Sequence, residues 1–209
     1  GGFKGKQLYP IPVGGSNPLG CWGYIACVEE LVQQVKSSGS SIESCYSDIV
    51  VCSGSGGTVS GLAVGLDYYR RFRGLHHDAV RVRSYCVCDS PEYFYQTVAR
   101  IAAPFYHPRS ATAPSGPSLV SIEDAKGDGY AKSTQEELQF LCRVSRETGL
   151  ILDPCYTGKT VLQLWRDLRS RVWTPTDGRR ALYIHTGGGP SIFDRETELL
   201  SLIHPLRQE

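Results

Sequence analysis

Apolar positions along this chain switch between helical and strand spacing in a regular order. Ile25, Ala26, Val28, Leu31, Val32 and Val35 recur at near-helical intervals and predict a helix over about 20–36, with Gly39 beyond it as a stop signal. Four consecutive apolar residues, 49–52, suit a buried parallel strand, and helical spacing resumes over 58–71. Val80 and Val82, then the run from Tyr85 to Cys88, predict a second strand ending at Asp89, and a helix follows over 91–102. Ser133 or Thr134, backed by Glu136 and Glu137, opens a helix to Thr148 that Gly149 stops. A short strand at 150–152, a helix over 158–171, a strand at 181–185 and a helix from Pro190 to about Ile203 complete the pattern. Strands alternating with helices predict an α/β fold, an open and mostly parallel sheet with helices on both faces in three layers. Only 104–121, rich in Pro, Ser and Ala, breaks the alternation and reads as a long surface loop.

Composition narrows the partners more than the fold. Lys and Arg number 22 against 21 Asp and Glu, so charge gives no reason to expect nucleic acid or an anionic membrane. No stretch approaches the roughly 18 apolar residues of a membrane span, and the first residues lack a signal-peptide apolar run. The 8 cysteines form no CxxC pair and have no His at zinc spacing, so no metal site is expected and they read as reduced, mostly buried thiols of a cytoplasmic protein. Cys86 and Cys88 fall on one side of the second strand, in an apolar setting that points to core packing. Methionine is absent even at position 1, which suggests a chain entered mid-sequence.

Three polar, Gly-flanked segments follow predicted strands, where ligands bind in open α/β sheets. The first, Cys52-Ser-Gly-Ser-Gly-Gly-Thr58, has the makings of an anion cradle: glycines let backbone N–H groups converge at a helix N-terminus, and Ser55 and Thr58 add hydroxyls. It lacks the Gly-Lys-Ser/Thr ending of a Walker loop, and Val59 stands where a dinucleotide loop needs Gly. The others are Asp153-Pro-Cys-Tyr-Thr-Gly-Lys159 and His185-Thr-Gly-Gly-Gly189. Taken singly, Tyr156 reads equally as a packing aromatic, Lys159 as a solvated first-turn lysine and His185 as a satisfied strand-end histidine.

Taken in order, these segments resemble the pyridoxal-phosphate enzymes that include D-cysteine desulfhydrase and 1-aminocyclopropane-1-carboxylate deaminase, of fold type II and tryptophan synthase β-like. Tyr9-Pro-Ile-Pro-Val-Gly-Gly-Ser-Asn-Pro-Leu-Gly20 with Gly23-Tyr24 is similar to the family's segment after its small domain, and 52–58 to its phosphate loop. Gly127-Asp-Gly-Tyr130 resembles the first active-site tyrosine segment, Leu152–Lys159 the second, and His185-Thr-Gly-Gly188 the closing strand end.

The resemblance implies pyridoxal 5'-phosphate as cofactor, a small amino acid as substrate and a homodimer when complete. It implies that Ser55, Gly56, Gly57 and Thr58 hold the phosphate, that Thr157, Thr186 and Gly187 also bind cofactor, and that Tyr130 and Tyr156 are catalytic. It also implies that the chain is the C-terminal part of the large cofactor-binding domain, with 1–40 leading in beside the small domain. The family's Gly-Asn-Lys segment, whose lysine forms the Schiff base, and its Ser-Asn-His segment, which holds the substrate carboxylate, are both absent from the sequence. None of the lysines, at 4, 6, 36, 126, 132 and 159, stands in that context, so the chain alone is expected to be inactive. Deaminases of the family carry Glu and Leu where this chain has Thr157 and Thr186, whereas desulfhydrases carry hydroxyl residues. That pattern implies β-elimination from D-cysteine to pyruvate, ammonia and sulfide. Two alternatives stay open: deamination of the cyclopropane substrate, and a non-catalytic phosphate- or dinucleotide-binding domain with Asp89 imitating a ribose-binding acid.

Overall fold

The structure, a computed structural model, describes residues 9–76, 79–106 and 119–203. After a single 3-10 turn at Val13–Gly15, helix α1 spans Pro18–Ser37. Its start follows directly from sequence: Asn17 Oδ1 accepts from Gly20 N–H at 2.8 Å, and Pro18 fills the first helical position, where its missing N–H is no loss. A one-turn helix, α2 (Ile42–Cys45), leads into β1 (Tyr46–Ser53), and α3 (Gly57–Phe72) follows. Next come β2 (Arg81–Cys86), α4 (Pro91–Ala102) and β3 (Val120–Asp124). The last part holds α5 (Gln135–Thr148), α6 (Thr157–Ser170), β4 (Arg180–Tyr183), a 3-10 segment Gly189–Arg195 and α7 (Glu196–Ile203).

The four strands are parallel in the order β3-β2-β1-β4, so β1 is central. Alternate residues of β1 enter different layers. Ile49 and Val51 join Val28, Leu62, Phe94 and Val98 under α1, α3 and α4, while Val50 and Cys52 face Tyr85 and Leu164 beneath α6. Coverage on both sides is why 49–52 is apolar without a break. The expected three-layer α/β architecture is thus present. From β1 the chain crosses to β2 on one side, while β4 lies on the other, so a crevice opens where the carboxyl ends of β1 and β4 part.

Several expectations need correction. Residues 150–152 form no strand: Leu150 and Ile151 are exposed, Leu152 packs into the α5–α6 cluster, and the Ile151 carbonyl accepts from the His185 ring instead of a ladder N–H. The predicted loop over 104–121 takes in part of a strand, because Val120 and Ile122 bury alternate positions against β2; its centre, 107–118, lies outside the described residues. The second strand stops at Cys86, so Cys88 lies beyond it, although Cys86 is a core residue as expected. The closing strand is shorter than predicted, and the final helix begins as 3-10.

Lys159 is fully buried. Its ammonium sits 3.0 Å from Glu137 Oε1 and donates to the Lys126 carbonyl at 2.9 Å. Glu137 meanwhile completes the capping box that opens α5, accepting from Thr134 N–H at 2.7 Å. A buried ammonium is tolerated only when paired in this way.

Gly61 and Gly65, one turn apart on α3, permit a close approach of α1. A Cβ at Gly61 would lie 2.5 Å from Tyr24 Cβ and 3.1 Å from the Cys21 carbonyl; at Gly65 it would lie 2.9 Å from Val28 Cγ2. Gly61→Ala should therefore lower stability by about 1–3 kcal/mol through overpacking, despite the roughly 1 kcal/mol that alanine adds to an open helix. A denaturation midpoint that stays level or rises would show that α1 shifts freely.

Candidate cofactor and active site

β1 ends at Ser53 and α3 begins at Gly57, so three residues make the turn. Gly56 is the N-cap in the left-handed region, φ 85°, and gives no side-chain cap; the intrahelical ladder starts at Ser60 N–H to the Gly56 carbonyl. The N–H groups of Gly57, Thr58 and Val59 therefore point out of the helix end without intrahelical partners. Glycine is required here by contact as well as by φ. A Cβ at Gly54 would lie 2.8 Å from the Tyr156 ring, at Gly56 2.7 Å from Thr97 Cγ2, and at Gly57 2.7 Å from Ser16 Oγ.

Segment 13–16 folds over this turn. Ser16 Oγ donates to Ser55 Oγ at 2.7 Å, and Gly14 lies so close that a Cβ there would fall 2.1 Å from the same oxygen. On the other flank, Cys88 Sγ donates to the Gly54 carbonyl at 3.1 Å. The thiols of Cys52 and Cys88 are both raised, chiefly by burial, Cys52 to about 12, so neither is a thiolate near neutral pH.

A second wall comes from the N-terminus of α6. Asp153 is buried, and its carboxylate accepts five hydrogen bonds: Oδ2 from Cys155 N–H and Tyr156 N–H at 2.8 Å and from Ser191 Oγ at 3.1 Å, Oδ1 from Thr157 N–H at 2.7 Å and Thr157 Oγ1 at 2.6 Å. This cap fixes Tyr156, whose hydroxyl shares a hydrogen bond with that of Tyr130 across rings 5.9 Å apart. The bond to Tyr130 and then burial push the Tyr156 phenol well above the ordinary tyrosine range.

The third wall is 185–188. His185 Nε2–H donates to the Ile151 carbonyl at 2.9 Å, and Nδ1 accepts from Gly187 N–H at 3.1 Å, so both ring nitrogens are engaged. Gly188, at φ 99°, lets the turn pass Asp153, where a Cβ would lie 2.6 Å from Oδ1.

These walls enclose a cavity of about 550 Å³, lined by Ser55, Thr58, Tyr130, Tyr156, Thr186 and Gly187 among others. Of the residues singled out from sequence, these six meet at one place, with Gly56 and Gly57 in the same turn as Ser55 and Thr58. Thr157 does not line the cavity: it is fully buried behind Tyr156, and its hydroxyl both donates to Asp153 and accepts from Asp153 N–H at 2.8 Å. Val13, Gly14, Tyr24, Cys52, Gly54, Cys88 and Gly188 complete the lining; none was expected to bind cofactor or act in catalysis, although all but Cys88 fall in the segments that carry the resemblance. The Gly14-Gly15-Ser16 run was a legible signal for the first of these; nothing in sequence marked Cys88 or the role of Asp153. Among the described residues no lysine lines the cavity, and no group of three or more His, Cys, Asp or Glu is arranged to hold a metal.

A family model described as pyridoxal-phosphate dependent enzyme matches residues 4–187. A bifunctional D-cysteine desulfhydrase/1-aminocyclopropane-1-carboxylate deaminase, mitochondrial, of Arabidopsis thaliana is 37% identical over 202 residues, 96% of this chain and 46% of the relative. A D-cysteine desulfhydrase of Yersinia enterocolitica is 32% identical over 91% of this chain and 53% of its own length. A crystal structure of a 1-aminocyclopropane-1-carboxylate (ACC) deaminase homologue superposes with TM-score 0.73 at 29% identity, covering 95% of this chain and 55% of that one. The chain thus spans about half the length of the curated relatives it matches. The match sets aside the dinucleotide-binding alternative, and the chain belongs to the pyridoxal-phosphate-dependent enzyme family.

Proposed function

We propose that this chain carries the phosphate-binding and tyrosine-bearing part of the active site of a pyridoxal-phosphate lyase that releases sulfide from D-cysteine. The observation that carries the reading is the opposition, across one cavity, of an uncapped glycine turn at a helix N-terminus and a hydrogen-bonded pair of tyrosines. The donor set suits a phosphate dianion. Backbone N–H groups at 57–59, the hydroxyls of Ser55 and Thr58 and the positive end of α3 all favour negative charge, and among the described residues no carboxylate lines the cavity. Glycine at 54, 56 and 57 keeps the turn low enough for a group to rest on it.

Bound pyridoxal phosphate supplies the electron sink that makes an amino acid's α-proton acidic and lets a β-substituent leave. The chain's own residues do the rest of what is read here. Ser16 orients the Ser55 hydroxyl by donating to it, which leaves the Ser55 proton free for a phosphate oxygen. Tyr130 and Tyr156 hold one proton between their oxygens at the cavity wall, and the raised Tyr156 phenol stays protonated, ready to donate to a departing thiolate. Both hydrogen-bonding roles of the Thr157 hydroxyl are taken by Asp153, so this position offers no ionisable group to a pyridine ring. That favours a moderate electron sink, adequate when the leaving group is a thiolate. Thr186 forms a polar wall where a leucine would make an apolar one.

The amine that anchors the cofactor is assigned to sequence outside 1–209, as is the remainder of the large domain. Lys159 is excluded from that part by its burial and its partners. A homodimer in a cytoplasmic setting is part of the same reading. The setting, though not the dimer, draws support from eight free thiols, which suit a reducing compartment. No helix among the described residues is long and apolar enough to cross a membrane.

In the full-length protein, Ser55→Ala and Thr58→Val should each weaken pyridoxal-phosphate binding about tenfold, the effect of losing one hydrogen bond to a charged group. Absorbance titration measures this, and unchanged affinity in both would remove the phosphate from the cradle. Thr186→Leu should depress pyruvate and sulfide formation from D-cysteine by about tenfold or more while tolerating 1-aminocyclopropane-1-carboxylate. If D-cysteine turnover is unaffected, Thr186 does not distinguish the two chemistries. Asp153→Asn turns one buried acceptor into a donor facing N–H groups, and should cost about 2–4 kcal/mol of stability. A near-neutral melting temperature would sink the role given to that carboxylate.

A further inference from the structure

Lys159 touches nothing in the cavity, yet the segment that carries Tyr130 is built around its ammonium. The turn before Tyr130 is closed by Gly129 N–H donating to the Lys126 carbonyl at 3.2 Å, and Lys159 Nζ donates to that same carbonyl at 2.9 Å. Gly127, at φ 59°, packs directly on the ion pair: a Cβ there would lie 2.9 Å from Glu137 Oε1 and 3.4 Å from Lys159 Nζ. Beyond Tyr130, Ala131 also adopts a positive φ, 56°, and its carbonyl accepts from Arg195 at 2.9 Å. Ser133 Oγ then donates to the Pro154 carbonyl at 3.3 Å. Tyr130 itself is half exposed, so its ring has little packing of its own to hold it.

Lys159 and Tyr156 lie three residues apart at the start of α6, so the same helical turn grips this segment twice, once at its backbone and once at its phenol. We propose that Lys159, paired with Glu137, is a positioning residue that sets the Tyr130 hydroxyl against Tyr156 at the cavity wall. This rests on the reading of the tyrosine pair as the group that protonates the leaving thiolate. The charge serves geometry: an ammonium donates to a carboxylate and a carbonyl at once, in two directions that a neutral side chain of this length does not supply.

The test uses the full-length protein with the double change Lys159→Met and Glu137→Gln, which removes both charges together and leaves an amide oxygen to accept from Thr134 N–H. Tyrosines labelled with 13C at the hydroxyl-bearing carbon report each phenol by NMR without cofactor or turnover. In the unaltered protein Tyr156 should remain protonated well above the ordinary tyrosine value of about 10. In the double variant, having lost its Tyr130 partner while staying partly buried, it should ionise at a clearly lower pH than in the unaltered protein. With cofactor and D-cysteine, kcat should fall about 100-fold, the lower end of what a lost general acid costs, while KM stays within about threefold. Adding Tyr130→Phe to the double variant should cost nothing more. An unmoved Tyr156 titration overturns the proposal, as does a Tyr130→Phe effect that multiplies in full with the double variant. A shifted titration in a protein that does not release sulfide would uphold the positioning role and sink only the elimination reading. If the double variant fails to fold, Gly127→Ala presses a methyl on the same carboxylate with both charges kept, and the Tyr156 titration is read in that variant by the same criterion.

Discussion

The buried carboxylate of Asp153 is the interaction on which the site depends. It sits where α6 begins and accepts from two residues of its own turn, from both the backbone and the hydroxyl of Thr157, and from Ser191 beyond β4. A helix N-terminus presents unpaired N–H groups, and a carboxylate is the strongest available acceptor for them. By directing its second oxygen partly to Ser191, Asp153 also pins the glycine turn at 187–188, so two of the three loops around the cavity share one anchor. The third loop, at the end of β1, is uncapped, and its order comes from Ser16, Cys88 and close glycine contacts.

The two helix ends facing the cavity are thus treated in opposite ways. At α6 the chain supplies its own negative charge and buries it; at α3 it supplies none and leaves the positive end open. That asymmetry leaves α3 as the end open to an anion, which is the support for the phosphate placement proposed for it. It also explains the cysteines of the cavity wall. Burial keeps Cys52 and Cys88 protonated, so Cys88 acts as a weak donor to the loop carbonyl and not as a nucleophile competing with substrate chemistry.

The helices were legible wherever a local signal was complete. Thr134 with Glu137 and Gly149 frame α5 at the positions the capping rules require, and Pro91 with Ser90 starts α4 in the same way. Strands were read well only at the centre of the sheet, where burial on both faces forces an unbroken apolar run as in β1. The edge strand β3 escaped notice because VSIED carries just two buried apolar positions next to a Pro/Ser-rich stretch. Residues 150–152 misled for the converse reason, since apolar character there serves helix packing and the backbone finds no neighbouring strand.

Of the candidate site, the sequence by itself determined the residue types at three strand or helix ends and hence their chemistry: glycines and hydroxyls for an anion, two tyrosines, and lysines without the context of an anchoring amine. The glycines and hydroxyls follow from short-range rules, because a cap or a tight turn is fixed by neighbours within a few residues, whereas the tyrosines and the lysine context were legible only through the resemblance to the family. What only the tertiary structure decided is which polar groups are already engaged. Thr157 and Lys159 look available in a linear reading, but one is closed off by Asp153 and the other by Glu137 and the Lys126 carbonyl. Their partners lie on different loops or elements, and a buried polar group must find an acceptor wherever the fold brings one. Whether a side chain faces the cavity or holds its walls is therefore a property of the packed molecule.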